Sequence, residues 1–303
     1  MLSYLHEFHA GNHADILKHF VLFRTIKYLN KKDKPYSFFD THSGSALYDI
    51  KSEKAYKTGE AASGIEKLLS AANENPSSVP EILKDYLSFV DGFVSEGLYP
   101  GSPVFESMCV LPESKVYLTE LHKAEHEKLC SNMKKIKGVR PVIKNVSGWT
   151  FIKGNVPPPL KRGGILCDPS YEDSIDYENA VLYLSGANEK WSGATILLWY
   201  PFLANRKDEI RLMKEKILSS VKKKISSTEV LDIRLLVDTE DSHTETSLKD
   251  SIGSAKPRLY GSGMFVVNPG WTLMEECREC LPYLSKILGR EGNGSFCVEM
   301  LRT

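Results

Sequence analysis

Long hydrophobic runs are missing from this chain of 303 residues. No stretch approaches the roughly 18 consecutive apolar residues that a membrane-spanning helix needs. The N-terminal stretch MLSYLHEFHAGNHADILKHF has no basic segment followed by an apolar one, as a secretory signal would, and it lacks the Arg- and Ser-rich composition of a transit peptide. We therefore expect a cytoplasmic protein without a membrane segment.

An excess of charge of either sign is also missing, because 39 lysines and arginines balance 39 aspartates and glutamates. No net field draws the whole surface onto nucleic acid, so any such site has to be a local patch. Basic residues cluster at 134–140, at 222–224 and at Lys161 and Arg162. The first two clusters are more readily explained as solvated helix faces. Lys161 and Arg162 are therefore the candidates for contact with nucleic acid.

Cysteine is too sparse for a disulfide framework in a chain of this length, with six residues in all. Cys277 and Cys280 form a C-x-x-C pair, but no second pair accompanies it and the segment has helical spacing. We therefore expect reduced thiols and no zinc or redox site.

Histidine is concentrated near the N-terminus, where four of the eight histidines occur. With their polar neighbours they form the set Tyr4, His6, His9, His13, Lys18 and His19. A metal site is the minor interpretation, because no convincing ligand spacing is present. The favoured interpretation is a segment that folds over a ligand and contributes the Lys18 cation.

Short β-rich runs alternate with helical segments along the chain, which predicts parallel βαβ units and a Rossmann-like α/β sheet of seven strands. The runs are YSFFD (36–40), KVYLTEL (115–121), PVIKNV (141–146), GGILCD (163–168), ATILLWY (194–200), LDIRLLV (231–237) and GMFVVN (263–268). Residues 49–98 have only helical periodicity, which predicts a helical insertion after strand one. Residues 1–48 and 99–303 form the main domain.

Polar residues follow the first four predicted strands, at the edge where open α/β sheets bind ligands. Asp40 and Gly44 follow the first strand, and no G-x-G-x-x-G is present, which argues against a dinucleotide oxidoreductase. Glu120 follows the second and suits the hydroxyls of a ribose. The third strand is followed by Ser147, Gly148 and Trp149, and the fourth by Asp168, Pro169, Ser170 and Tyr171.

An acid, a proline and an aromatic residue in this order suit methyl transfer to an aromatic amine. The lone pair of adenine N6 is delocalised, so the amine is a poor nucleophile. The Asp168 carboxylate and the Pro169 carbonyl can accept its hydrogens and orient it toward a methyl sulfonium. Tyr171 would stack on a base that has left its helix. S-adenosylmethionine is therefore the expected cofactor.

Several longer motifs carry a family resemblance: YxHxFHAGNHADxLKH at 4–19, DKPYSFFDTHSG at 33–44, YPGSP at 99–103, LTELH at 118–122, RGGILCDPSYE at 162–172, LWYP at 198–201 and SGMFVVNPGW at 262–271. In these the sequence resembles the RlmJ family of bacterial 23S ribosomal RNA adenine-N6 methyltransferases. The resemblance implies a class I S-adenosylmethionine-dependent methyltransferase fold, with ribosomal RNA as the partner. We expect a monomer.

The resemblance also implies roles for individual residues. Asp168 matches the catalytic acid, and Tyr4 and His6 lie in the segment that the family folds against the active site. The family's cofactor-binding positions fall on Lys18, His19, His42, Ser102 and Glu120.

Three departures from the family pattern stand out. Ser170 replaces the second proline of D-P-P-Y, Ser147 replaces an acid, and Ala46 replaces a glycine. None removes an atom that transfer requires, so we expect an active enzyme. The alternatives are the same chemistry on DNA adenine or on a protein glutamine, and a non-catalytic RNA-binding or ribosome-assembly factor.

Overall fold

Eight strands form one mixed sheet in the part of the chain that the computed structural model describes, residues 9–53, 59–240 and 259–301. Two further short strands pair outside it. In chain order the strands are β1 Ser37–Asp40, β2 Leu47–Asp49, β3 Leu98–Pro100, β4 Lys115–Thr119, β5 Val142–Lys144, β6 Gly163–Cys167, β7 Thr195–Phe202, β8 Val230–Leu236, β9 Gly261–Val267 and β10 Ser295–Met300.

Helices cover both faces of the sheet. They are α1 His13–Asn30, α2 Lys67–Glu74, α3 Glu81–Val94, α4 Ser102–Met108, α5 Lys123–Met133, α6 Gly148–Asn155, α7 Ile175–Asn179, α8 Ser185–Lys190, α9 Lys207–Lys224 and α10 Leu273–Leu288. Short π-helical segments span Ala62–Glu66 and Ala180–Leu184, and a 3-10 turn spans Pro76–Ser78. No described helix is both long and apolar enough to cross a membrane.

The strand order is β5-β4-β1-β6-β7-β9-β8-β10. The five strands from β5 to β7 are parallel, whereas β9 runs antiparallel between β7 and β8. The chain turns from one half of the sheet to the other between β1 and β6, and ligands bind beyond the carboxyl ends of strands at such a point. Strands β1 and β6 are buried along their whole length, which explains their uninterrupted apolar sequences.

The predicted fold class is correct, but the sheet has eight strands, one more than predicted. All seven predicted runs form strands, and β10 adds an eighth at the sheet edge, antiparallel to β8. Its sequence, SFCVEM, holds an apolar run of only three residues, which is too short to tell a strand from a loop. The prediction of parallel units failed at β9, whose direction depends on pairing that local sequence does not encode.

The region after β1 is helical, as its periodicity predicts. The antiparallel pair of β2 and β3, with Leu47 opposite Pro100, brackets it. Its apolar side chains, among them Leu68, Leu83 and Tyr86, belong to the same core as α1 and α10. The inserted helices therefore share the main core instead of building one of their own.

Helix α1 lies at the centre of this arrangement, with almost every side chain buried from Ala14 to Ile26. Asn12 caps its N-terminus by accepting hydrogen bonds from the amides of Ala14 and Asp15. Arg24 forms a two-pronged ion pair with Glu276 of α10, at 2.9 and 3.0 Å. Both side chains are largely buried, so the pair ties α1 to α10.

We predict that Arg24→Met destabilises the protein by about 3–5 kcal/mol, because it leaves the Glu276 carboxylate buried without its cation. Urea unfolding followed by circular dichroism measures the change. Arg278→Met is the matched control, since Arg278 pairs with Glu275 at the surface and should cost at most about 1 kcal/mol. Equal losses in both variants would contradict the buried role of Arg24.

Candidate active site

Three carboxylates lie at the carboxyl ends of three neighbouring strands. Asp40 ends β1, Glu120 follows β4, and Asp168 follows β6, and β1 lies between the other two in the sheet. The sequence prediction of a polar site at this edge therefore matches the strand order.

Asp40 is held rigidly and is 1% exposed. Its carboxylate accepts hydrogen bonds from the Ser102 hydroxyl at 2.7 Å and from the His42 amide at 3.0 Å. Burial raises the pKa of Asp40 to about 7, although both hydrogen bonds favour the charged form. Ser102 thus belongs to the site through Asp40.

A second buried acid lies behind Asp40. Glu106, one turn after Ser102 in α4, is fully buried, and neither carboxyl oxygen has a hydrogen-bond partner among the described residues. Burial, and next the charge of Asp40, raise the pKa of Glu106 well above its usual value. Sequence reasoning missed it, because an acid within a short helix carries no distinctive pattern.

Glu120 is oriented by backbone amides. Its carboxylate accepts from the Gly44 amide at 2.9 Å and from the His122 amide at 2.7 Å. Gly44 has φ +56, and a Cβ there would lie 2.2 Å from the Tyr48 hydroxyl. The turn therefore requires glycine, and it fixes the Glu120 carboxylate while leaving lone pairs for a ligand.

The departure at Ala46 has a structural consequence. Ala46 is fully buried and has φ 68, in the left-handed region that favours glycine. Its carbonyl accepts the Gly101 amide at 2.7 Å, so the strained turn joins the first loop to the return from the insertion. Alanine at this position costs strain that glycine would avoid.

An aromatic wall lies beside the first loop. The Trp149 ring packs edge-on against His42 at 5.0 Å and stacks on Tyr183 at 5.8 Å. Burial lowers the pKa of His42 to about 4, so its imidazole is neutral. A Cβ at Gly148 would lie 2.0 Å from the Thr41 carbonyl oxygen, which shows how closely α6 approaches the loop.

Ser147 stands at the start of α6 next to Gly148. Its hydroxyl does not cap the helix, and no side-chain hydrogen bond is found for it among the described residues. The position is half-buried, so the hydroxyl is available to a ligand at the third strand end.

Lys18 connects the catalytic loop to α1. Its ammonium lies 2.5 Å from Asp168 Oδ2 and 2.8 Å from Asp15 Oδ1. Asp15 also accepts the Gly11 amide at 2.9 Å. Burial alone would lower the pKa of Lys18, but the two carboxylates raise it well above its usual value. The lysine is therefore a fixed cation that orients Asp168.

The loop after Asp168 is anchored by Tyr171, which sequence reasoning assigned to base stacking. The structure instead buries this ring to 3% exposure, where it packs against Tyr177 at 4.7 Å and donates a hydrogen bond to the Trp199 carbonyl at 2.8 Å. Tyr171 has φ 53, a strained value for a side chain of its size. The ring holds the loop in place and is not exposed to a base.

Pro169 is buried beside Asp168, whereas Ser170 is exposed. The Ser170 hydroxyl accepts the Glu172 amide at 3.5 Å, a long contact that only weakly replaces the rigidity of a second proline. The departure therefore falls on the outside of the loop.

His19 lies beneath the site. Its ring is 1% exposed, its Nδ1 lies 2.9 Å from the Tyr99 hydroxyl, and it packs against Phe105. The position supports the segment that carries Ser102. The candidates Tyr4 and His6 lie outside the described residues.

Lys161 and Arg162, the candidates for contact with RNA, do not lie near the catalytic loop. They precede β6 and therefore lie at the opposite, amino edge of the sheet. The Arg162 guanidinium donates to the carbonyls of Leu29, Lys32 and Lys34, so it is engaged in structure.

Asp15 is a further residue of this site, contacting Lys18 within the first turns of α1. Its role follows from α1 geometry, because residues three apart share a helix face and bring Asp15 beside Lys18. Cys277 and Cys280 are buried in α10 and burial raises the pKa of both thiols. Within residues 9–53, 59–240 and 259–301, no cluster of metal-binding side chains is found.

Comparison with known proteins decides the family. The profile described as "Ribosomal RNA large subunit methyltransferase D, RlmJ" matches residues 33–301. The protein named Ribosomal RNA large subunit methyltransferase J from Haemophilus influenzae is 33% identical over 305 residues, which covers 99% of both chains. The chain belongs to the RlmJ family.

Two other relatives agree with this assignment. The Escherichia coli protein of the same name is 32% identical over 304 residues, again with 99% of both chains covered. A crystal structure of a Legionella pneumophila protein superposes with a TM-score of 0.77 at 27% identity, over 96% of this chain and 98% of the other. This RlmJ family member is therefore a methyltransferase with a Rossmann-like class I fold.

We predict that Asp40→Asn gains stability relative to the wild type as the pH rises from about 4 to about 7. Between the ordinary pKa of 3.8 and the value of about 7, the folded protein keeps a proton that the unfolded chain has lost. Rising pH therefore destabilises the wild type, and asparagine removes this cost. The difference should reach a few kcal/mol, since a tenfold change in equilibrium is about 1.4 kcal/mol.

Urea unfolding at a series of pH values measures this difference. Asp91→Asn, at an exposed position of α3, controls for removal of a carboxylate. If Asp40→Asn and wild type keep a constant stability difference across this range, Asp40 does not carry a raised pKa.

Proposed function

We propose that this RlmJ family member transfers the methyl group of S-adenosylmethionine to N6 of an adenosine in 23S ribosomal RNA. The observation that carries the proposal is the Asp168–Pro169 loop, held by Lys18 beside the carboxylates of Asp40 and Glu120. The printed names of the Haemophilus influenzae and Escherichia coli relatives support ribosomal RNA of the large subunit as the substrate.

The residues at the carboxyl edge fit the cofactor. Glu120, fixed by two amides, presents a carboxylate to the ribose hydroxyls. Ser147 offers an uncharged hydroxyl to the adenine, and the Trp149 ring borders the same end of the site. Asp40 and Lys18 complete the proposed cofactor site at the methionine end, where Asp40 is already paired with Ser102 and Lys18 with Asp15 and Asp168. When bound, S-adenosylmethionine supplies the electrophilic methyl group.

The chain itself orients the acceptor. Lys18 donates a hydrogen bond to Asp168 Oδ2. The other carboxylate oxygen of Asp168 is therefore the one that accepts a hydrogen bond from N6. The Pro169 carbonyl accepts the second hydrogen, and together they aim the nitrogen lone pair. As the methyl group arrives, positive charge develops on N6, and the Asp168 carboxylate stabilises it.

The helical insertion of residues 49–98 borders this site and serves to position the RNA. Glu60, at its start, lies 2.8 Å from His9 Nδ1 and accepts a hydrogen bond from the Asn12 side chain at 2.8 Å. These contacts join the insertion to the segment that leads into α1. We further propose that the protein acts as a monomer in the cytoplasm.

We predict that Asp168→Ala reduces methyl transfer to unmodified 23S ribosomal RNA by at least about 10³-fold, because it removes both the positioning and the charge stabilisation of N6. Affinity for S-adenosylmethionine, measured by calorimetry, should change by less than about tenfold. Transfer is followed with labelled cofactor on RNA transcribed in vitro.

Glu178→Ala, an exposed acid of α7, is the control and should keep wild-type transfer. DNA adenine and protein glutamine serve as competing acceptors in the same assay. Purified wild-type protein that binds the cofactor and methylates none of the RNA would refute the proposed function. Transfer to DNA or protein alone would assign the same site to another acceptor.

A further inference from the structure

A cleft of about 300 Å³ opens at the amino edge of the sheet, away from the catalytic loop. It is lined by Pro35, Ser37, Lys115, Tyr117, Pro159 and Leu160, with Glu113 at its border. Ser37 and Lys115 are the first residues of β1 and β4, whereas the active site lies at the other ends of these strands. The length of β6 separates the two sites by roughly 15 Å.

The cleft contains a buried hydroxyl group that lacks a partner. Ser37 is 0% exposed, and its Oγ makes no hydrogen bond within the described part of the chain. A buried hydroxyl without a partner costs free energy, which a ligand carrying a donor or an acceptor would recover. The position of Ser37 in the cleft wall therefore indicates a polar ligand atom at this depth.

The other walls are flat and apolar. The Tyr117 ring is half-buried and stacks on Phe39, with ring centres 4.5 Å apart and planes 14° from parallel. Pro35, Pro159 and Leu160 complete the lining. The volume is at the lower end for ligand sites, so it suits a single ring system. An aromatic wall with a polar atom at its base is suited to a nucleobase.

Positive charge surrounds the opening. Lys115 lines the cleft, and the exposed Lys34 and Lys161 adjoin the lining residues Pro35 and Leu160 in sequence. Arg162 fixes the lysine-bearing segment by donating to the carbonyls of Lys32 and Lys34 and by lying over the Tyr36 ring.

Two acids, Asp33 and Glu113, lie at the same edge. Lys31 and Lys32 add two further exposed cations. The rim is therefore net positive, as a phosphate backbone requires.

We propose that this cleft binds an unpaired nucleobase of the substrate RNA, at a position separate from the methylated adenosine, while Lys34, Lys115 and Lys161 contact the neighbouring phosphates. The inference rests on the proposed function, because it takes ribosomal RNA as the ligand. A second anchor at this distance sets which adenosine reaches Asp168, so it contributes to the choice of substrate site.

The test compares the binding of unmodified 23S ribosomal RNA transcripts by wild-type protein and by Leu160→Trp. Leu160 is half-exposed, so a tryptophan there fills the cleft without entering the core. We expect RNA affinity to fall about tenfold or more, and affinity for S-adenosylmethionine to stay unchanged. Ser37→Ala, a smaller change, should weaken RNA binding several-fold without filling the cleft.

The lysines are tested by salt dependence. Affinity falls as salt concentration rises, and the triple variant Lys34→Ala, Lys115→Ala and Lys161→Ala should make the negative slope of log affinity against log salt concentration shallower by about 2, since each phosphate contact in single-stranded nucleic acid contributes about 0.7. The matched control replaces Lys222, Lys223 and Lys224 with alanine. These lie at the end of α9, so the same charge is removed elsewhere. The control should keep the wild-type slope.

The outcomes separate this inference from the proposed function. Wild-type protein that methylates the RNA while Leu160→Trp binds it equally tightly would overturn the cleft and leave the function intact. Equal loss of slope in both triple variants would also overturn it, in favour of diffuse electrostatic attraction. Wild-type protein that transfers no methyl group would overturn the function, and the cleft would lose its assigned ligand.

Discussion

The active site depends on one buried cation. Lys18 lies between Asp15 and Asp168, with its ammonium within 2.8 Å of a carboxylate oxygen of each. An isolated ammonium in this position would be expensive to bury, so the two carboxylates must remain in place. The same contact ties the catalytic loop to α1, in which every residue from Ala14 to Ile26 is buried. The orientation of the catalytic acid therefore depends on a residue of the buried core.

The acids near this edge of the sheet differ in their surroundings. Asp40 and Glu106 are packed away from water, and burial raises the pKa of both. Asp168 instead faces the Lys18 cation in a salt bridge. The strained Tyr171 and the tight turn at Gly44 are the backbone features that keep these groups in position.

The sequence predicted the strand ends well, because a buried parallel strand is a continuous apolar run and the residue after it is the ligand-facing one. Asp40, Glu120 and Asp168 were placed at strand ends in this way, whereas Ser147 follows β5, whose residues are exposed or half-buried. Strand β10 was missed because its apolar run, Phe296 to Val298, is too short to tell a strand from a loop. Contacts between distant segments, such as Lys18 with Asp168, needed the fold, since 150 residues separate the partners. The amino-edge location of Lys161 and Arg162 likewise follows only from the direction of β6.

The most direct test of this account is the maximal rate of methyl transfer by Asp15→Asn, measured at saturating S-adenosylmethionine and RNA. Asparagine keeps the size of the side chain and a hydrogen bond to Gly11, but it removes one of the two charges that fix Lys18. The account predicts a rate roughly 10²-fold lower, because Asp168 loses its fixed position. A wild-type rate in Asp15→Asn would contradict the claim that the buried cation orients the catalytic acid.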